Sequence, residues 1–263
     1  MQRRPVLTAL AAFAGLASAP MLLAQVRDVN DAINKAGRQR MLSQRMAKCY
    51  LALGQRVESD FADKNLAASM ALFDRQLVEL KAFAPTPDVK VTYGQLETLW
   101  SEYKAALVGS SPGKAGAEPV LALAGKVLAT ANQGTLQLEA VSGKSVGRLV
   151  NIAGRQRMLS QRMAAFYLSA SWGVQPSAAT AELTKAKNEF LQAHDVLKRA
   201  PEASDAIRAE LQLAETQFIF FDAAMRGLRP GSGEAQAMSQ VFTTSERILQ
   251  VMDGVTGLYA KLA

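Results

Sequence analysis

Apolar residues along this chain recur at steps of three and four. Leu66, Met70, Phe73, Leu77 and Leu80 form one such series, and Leu96, Leu99, Trp100, Tyr103 and Leu107 another. That spacing puts each series on one face of an α-helix. No stretch shows the alternation of a half-buried strand. Turn-forming clusters interrupt the pattern at "APTPD" (84–88), "GSSPGKAG" (109–116), "APEAS" (200–204) and "GLRPGSG" (227–233). Together these signals predict helices near 27–55, 61–83, 88–108 and 118–142, and again near 145–172, 177–199, 202–227 and 233–261.

The two sets of four match. Phe73 corresponds to Phe190 and Leu80 to Leu197; with one residue of slippage, Trp100 corresponds to Phe218 and Tyr103 to Phe221. Four amphipathic helices joined by short loops make an antiparallel bundle. The expected fold is therefore all-α, two tandem antiparallel four-helix bundles related by internal duplication, with copies at 25–143 and 144–263. The junction "EAVSGKSVGRLV" contains Gly143 and Gly147 but no proline. It fits either a turn at Gly143 or one long rod joining the fourth and fifth helices.

The first 24 residues are expected to lie outside this fold. Arg3 and Arg4 precede an apolar run that ends in small residues at Ala24, the layout of a secretory signal. "RRPVL" also fits a twin-arginine signal, and both export routes stay open. The expected mature protein is exported, soluble and periplasmic. The full chain has 30 basic and 23 acidic residues; loss of Arg3 and Arg4 leaves a charge of about +5, too modest to suggest a nucleic-acid partner. Cys49 is the sole cysteine and His194 the sole histidine. One chain therefore cannot form an internal disulfide, a Cys/His metal site or a histidine-based triad. Packing is the expected role of both residues. No nucleophile–base pair or phosphate loop is visible, so no enzymatic activity and no cofactor are expected. Acids such as Asp60, Asp63 and Glu139 read as a solvated face.

One segment stands apart. "NKAGRQRMLSQRMA" from Asn34 returns at Asn151 as "NIAGRQRMLSQRMA", thirteen of fourteen positions being identical. On a helix, Asn34, Arg38, Met41 and Arg45 share one stripe, and Gly37, Arg40 and Gln44 an adjacent one. The second copy places Asn151, Arg155, Met158 and Arg162 beside Gly154, Arg157 and Gln161 in the same way. The methionines imply burial, and a buried arginine needs acceptors. The segment itself has no acid, so its partners are acids on other helices, backbone carbonyls or a bound anion. Glycine costs about 1 kcal/mol inside a helix, and its usual compensation is close approach to the backbone. Internal salt bridges tying the helix to its neighbours are the structural alternative to an anion site.

"INKAGRQRMLSQRMA" and "VNIAGRQRMLSQRMA" resemble the signature of the PilJ-type domain of type IV pilus methyl-accepting chemotaxis transducers. They also resemble the P-box of nitrate- and nitrite-sensing histidine kinases. The resemblance implies a ligand site on the first helix, with nitrate or nitrite held between two paired P-box helices by the arginine before the methionine. Those arginines are Arg40 and Arg157, with Gly37, Gly154, Ser43, Ser160, Arg45 and Arg162 at the other matching positions. Asn34 and Asn151 lie one turn earlier, and Arg38 and Arg155 are extra to the pattern. The two copies in one chain imply that helices 1 and 5 pair as two sensor subunits do; a homodimer pairing helix 1 with its own copy is the alternative. Two guanidinium charges about 5 Å apart repel by roughly 3 kcal/mol at an effective dielectric near 20, and a planar anion between them relieves that. The implied function is a periplasmic binding or sensor protein for a small anion that serves a membrane sensor or transporter. A module that docks on membrane receptors through its P-box helices, with no small ligand, is the competing reading.

Overall fold

The computed structural model describes residues 25–262. The expected signal segment lies outside the described residues. The fold is all-α, as the periodicity implies. Its elements are α1 (Val29–Gly54), α2 (Ser59–Phe83), α3 (Pro87–Val108), α4 (Lys114–Ser142), α5 (Ser145–Ser171), α6 (Pro176–Arg199), α7 (Asp205–Met225) and α8 (Ala235–Ala260). Helices α1–α4 close one four-helix bundle and α5–α8 a second, and the most extensive helix pair, α1 with α5, joins them. The buried apolar side chains of both bundles form one continuous core.

Local chemistry explains the boundaries. Asp28 caps α1 by accepting the Asp31 N–H at 2.8 Å. Thr86 and Ser204 cap α3 and α7 in the same way, each accepting the N–H three residues on at 3.3 Å. The α4–α5 junction is a turn and not a rod. Gly143 takes a left-handed φ of 60° and donates its N–H to the Glu139 carbonyl at 3.1 Å, which ends α4. Helix α4 begins earlier than the expected 118, at Lys114, so Pro119 lies inside it and Gly116 belongs to its first turns. Gly116 lets the Tyr50 side chain approach: a Cβ there would lie 2.1 Å from the Tyr50 hydroxyl.

The duplication extends to packing. Phe73 stacks on Trp100 with ring centroids 4.2 Å apart, and Phe190 stacks on Phe218 at 4.6 Å. Trp100 meets Tyr103 edge-on, as Phe218 meets Phe221. Each of these rings contributes about 1.5–3 kcal/mol through burial. Cys49 and His194 are buried in the core. Burial pushes the Cys49 thiol up to about 12, which leaves it inert as a nucleophile.

Candidate functional site

The repeated segments meet inside one molecule. Helices α1 and α5 cross with Gly37 against Gly154: a Cβ built on Gly37 would lie 3.7 Å from the Gly154 Cα. A methyl group at Gly37 would just touch the opposite backbone, so glycine here leaves room chiefly for the arginine tips. The same hypothetical Cβ lies 3.3 Å from Arg40 Nη2 and 3.4 Å from Arg157 Nη2. The two guanidiniums thus lie no farther apart than about twice that distance, tucked against the crossing.

Each arginine reaches across to the opposite helix. Arg40 Nη2 donates to the Asn151 carbonyl at 3.2 Å and to Asn151 Oδ1 at 2.7 Å. Arg157 Nη2 donates to the Asn34 carbonyl at 3.1 Å. The remaining nitrogens differ. Arg40 Nη1 meets the neutral Asn132 Oδ1 on α4 at 2.8 Å, whereas Arg157 Nη1 pairs with the Asp253 carboxylate on α8. Both arginines are fully buried, and Nε of each has no hydrogen-bond partner. Burial, then the charges of Arg155 and Arg157, pulls Arg40 down to about 9. Burial and the Arg38 charge bring Arg157 to about 10, with Asp253 opposing. Both remain protonated at neutral pH. The crossing therefore holds two desolvated cations with donor capacity to spare, which is the chemistry of an anion site.

Among the sequence-derived candidates, Gly37, Gly154, Arg40, Arg157, Asn34 and Asn151 come together at the crossing. Arg38 joins through Asp253, donating from Nη2 at 2.7 Å. The others turn elsewhere. Arg155 pairs with Glu189, and Arg162 with Glu182 and Gln44. Arg45 pairs with Glu246, which also takes the wholly buried Lys48 Nζ at 2.5 Å. Lys48 and Arg45 hold that carboxylate down at about 2 against the opposing effect of burial. Ser43 and Ser160 donate to carbonyls of their own helices, those of Arg40 and Arg157, each at 2.8 Å.

Sequence reading missed Asn132, Asp253 and Glu139. Glu139, read as solvated, accepts from Asn151 Nδ2 and so orients the asparagine that holds Arg40. The signal for Asn132 and Asp253 lay in the register of the fourth and eighth helices. Gln44 Nε2 donates to the Ala124 carbonyl at 3.1 Å, and Gln161 Nε2 to the Ser245 carbonyl at 3.0 Å. Eight residues farther along each helix stand Asn132 and Asp253, equivalent positions that differ by one charge.

Residues 21–130 and 141–218 match the profile of the PilJ family, described as type IV pili methyl-accepting chemotaxis transducer N-term. The chain belongs to the PilJ family. As a PilJ chain it is a sensory or interaction module related to chemotaxis transducers. No curated protein and no solved structure matches it. Among the described residues, no helix of this PilJ chain is long and apolar enough to cross a membrane.

Proposed function

We propose that this chain is an exported, periplasmic sensor or binding protein for a small planar anion, nitrate or nitrite, held between Arg40 and Arg157 where α1 crosses α5. The observation that carries this reading is the pair of buried guanidiniums at the glycine crossing, each with an unpartnered Nε. Two cations in one desolvated place repel; Asp253 pairs with Arg157 directly, whereas Glu139 offsets Arg40 only from behind Asn151. A monovalent, delocalised anion would accept from both arginines and relieve the remaining charge. Occupancy would then favour one α1–α5 spacing over another, a bias that a partner membrane sensor or transporter can read. The protein performs no reaction of its own.

The competing docking reading used the P-box helices as the interface. Gly37, Arg40, Gly154 and Arg157 are buried in the α1–α5 contact, which leaves only the flanking Arg38, Arg45, Arg155 and Arg162 to face a partner and counts against that reading. The same contact takes the surface on which a homodimer would have paired helix 1 with its copy. Titration calorimetry with sodium nitrate and sodium nitrite tests the proposal. Saturable heat is expected for the native chain and none for Arg40→Ala or Arg157→Ala. Absence of heat and of any thermal shift at millimolar anion rejects it, whereas equal binding by both variants moves the site elsewhere.

A further inference from the structure

Helix α7 carries two heptad stripes on nearly opposite sides. Ile207, Leu211, Ala214, Phe218, Phe221 and Met225 are buried and face the core of the second bundle. Ala206, Ala209, Leu213, Thr216, Phe220 and Ala223 follow alternating steps of three and four on the outer side, and all six are exposed. None of the six is charged. Phe220 is 58% exposed and Leu213 45%, and Ile219 at the edge of the stripe is 63% exposed. A three-four spacing of uncharged residues is the seam of a helix that packs against another helix. None of the described helices covers this one.

The first bundle has no such seam. With the one-residue slippage that aligns Trp100 with Phe218, the α3 counterparts of Ala206, Leu213 and Phe220 are Asp88, Gln95 and Glu102. Ser101 stands where α7 has Ile219. The outer face of α3 is thus polar and twice charged, as a solvated helix face is. The duplication separates what a bundle needs from what α7 adds. The buried aromatic stripe is common to both helices, and the apolar outer stripe belongs to α7 alone. Helix α7 packs chiefly on α8, away from the α1–α5 crossing.

We infer that the outer face of α7 docks a second copy of this chain, the two α7 helices lying antiparallel about a two-fold axis. Charge sets the direction. Parallel helices would place Asp205 of one copy beside Glu210 of the other, two like charges on the seam's flank. Antiparallel helices place Asp205, at the first position of α7, against Arg226 at its C-cap, and the two-fold axis makes that contact twice. Asp205 is exposed. The Arg226 side chain is 77% exposed and meets, within its own chain, an Asp222 carboxylate that Lys187 also holds. The same register sets each large seam residue against a smaller one, Phe220 on Ala209 and Leu213 on Thr216, with Ala206 on Ala223. The pairing leaves the buried arginines untouched and is independent of any bound anion.

Sedimentation velocity of the full chain at about 1–100 µM and low ionic strength tests this. The variants are Phe220→Glu, Asp205→Lys, Arg226→Glu and the double change Asp205→Lys with Arg226→Glu. One helix per copy makes a small interface, so the native chain is expected to dimerise in the micromolar range. Phe220→Glu, which copies Glu102 of the first bundle, is expected to weaken the dimer about tenfold or more. Each single charge change is expected to weaken it about threefold or more, since it is felt at two symmetric contacts. The double change should return it to within about twofold of native. Asp205 and Arg226 stand at opposite ends of α7, roughly 30 Å apart, so that recovery cannot arise within one chain. All these side chains are exposed, and circular dichroism checks that each variant keeps its helices. A dimer that Phe220→Glu leaves intact, or a double change no tighter than the single ones, overturns the pairing. A native chain that stays monomeric also overturns it and assigns the α7 face to a different protein.

Discussion

Asp253→Asn isolates the electrostatics of the α1–α5 crossing. The native carboxylate takes Arg38 Nη2 at 2.7 Å and pairs with Arg157 Nη1. Burial works against its charge, yet Arg157 and Arg38 together hold it below the usual carboxylate range. Without that charge, Arg157 keeps an amide oxygen and a backbone carbonyl but faces Arg40 uncompensated. One carboxylate–guanidinium pair at 4 Å corresponds to about 4 kcal/mol at an effective dielectric of 20. The Asp253 side chain is 44% exposed, so solvent screening reduces this to about 1–2 kcal/mol. For a chain of this size the loss lowers Tm by about 2–8 °C. Thermal unfolding followed by circular dichroism at low ionic strength measures it. Nitrate should then restore the variant more than an equal concentration of chloride does, because a bound planar anion replaces the missing charge and binding adds to stability by mass action. An unchanged Tm would refute the charge argument. Equal rescue by nitrate and chloride would reduce the effect to simple screening.

Four further outcomes follow from the same structure. Gly37→Ala gains about 1 kcal/mol of helix propensity but forces the Arg40 and Arg157 tips aside by a few tenths of an ångström, so anion binding should fall while Tm stays within a few degrees; unimpaired binding contradicts the close-packed site. Glu246, held at about 2 against an ordinary value of 4.5, contributes about 3 kcal/mol above pH 4.5 that is lost as pH falls toward 2, so denaturant titrations should show Glu246→Gln less stable at neutral pH and flatter on the acid side. His194 is buried with both ring nitrogens unpartnered, and desolvation lowers its pKa, so stability should decline as pH drops below 6.5; His194→Leu, matching Leu77 of the first half, should abolish that slope. Arg56 is held at a left-handed φ of 57° where the second half has Gly173 at 69°, so Arg56→Gly should raise stability by about 1 kcal/mol in urea unfolding.

The helices and the pairing of halves were legible because periodicity and breakers are local signals that burial enforces. Phe73 and Trp100 took buried positions equivalent to those of Phe190 and Phe218, as the matching of the halves implied; that the rings stack was not legible. The start of α4 was not legible, because the turn-forming cluster at 109–116 reads as loop while the helix already begins at Lys114 and carries Pro119 within it. Within the repeated segment, identity came from two causes that sequence merges. Gln39 and Gln156 donate to the equivalent carbonyls of Phe73 and Phe190, so their identity reflects packing. Arg45 and Arg162 are identical yet have different acidic partners, Glu246 and Glu182. The acids that complete the site stand on helices remote in sequence, where a single Asn-to-Asp difference carries no periodic signature.

A crystal structure of the protein grown with nitrate would show whether an anion sits between the two arginines. Planar, three-cornered density is expected at the Gly37–Gly154 crossing, within hydrogen-bond distance of both the Arg40 and the Arg157 guanidinium. A crossing in which the arginines keep their contacts to Asn151, Asn34 and Asp253 with no anion between them, at nitrate concentrations that saturate any measured binding, would contradict it.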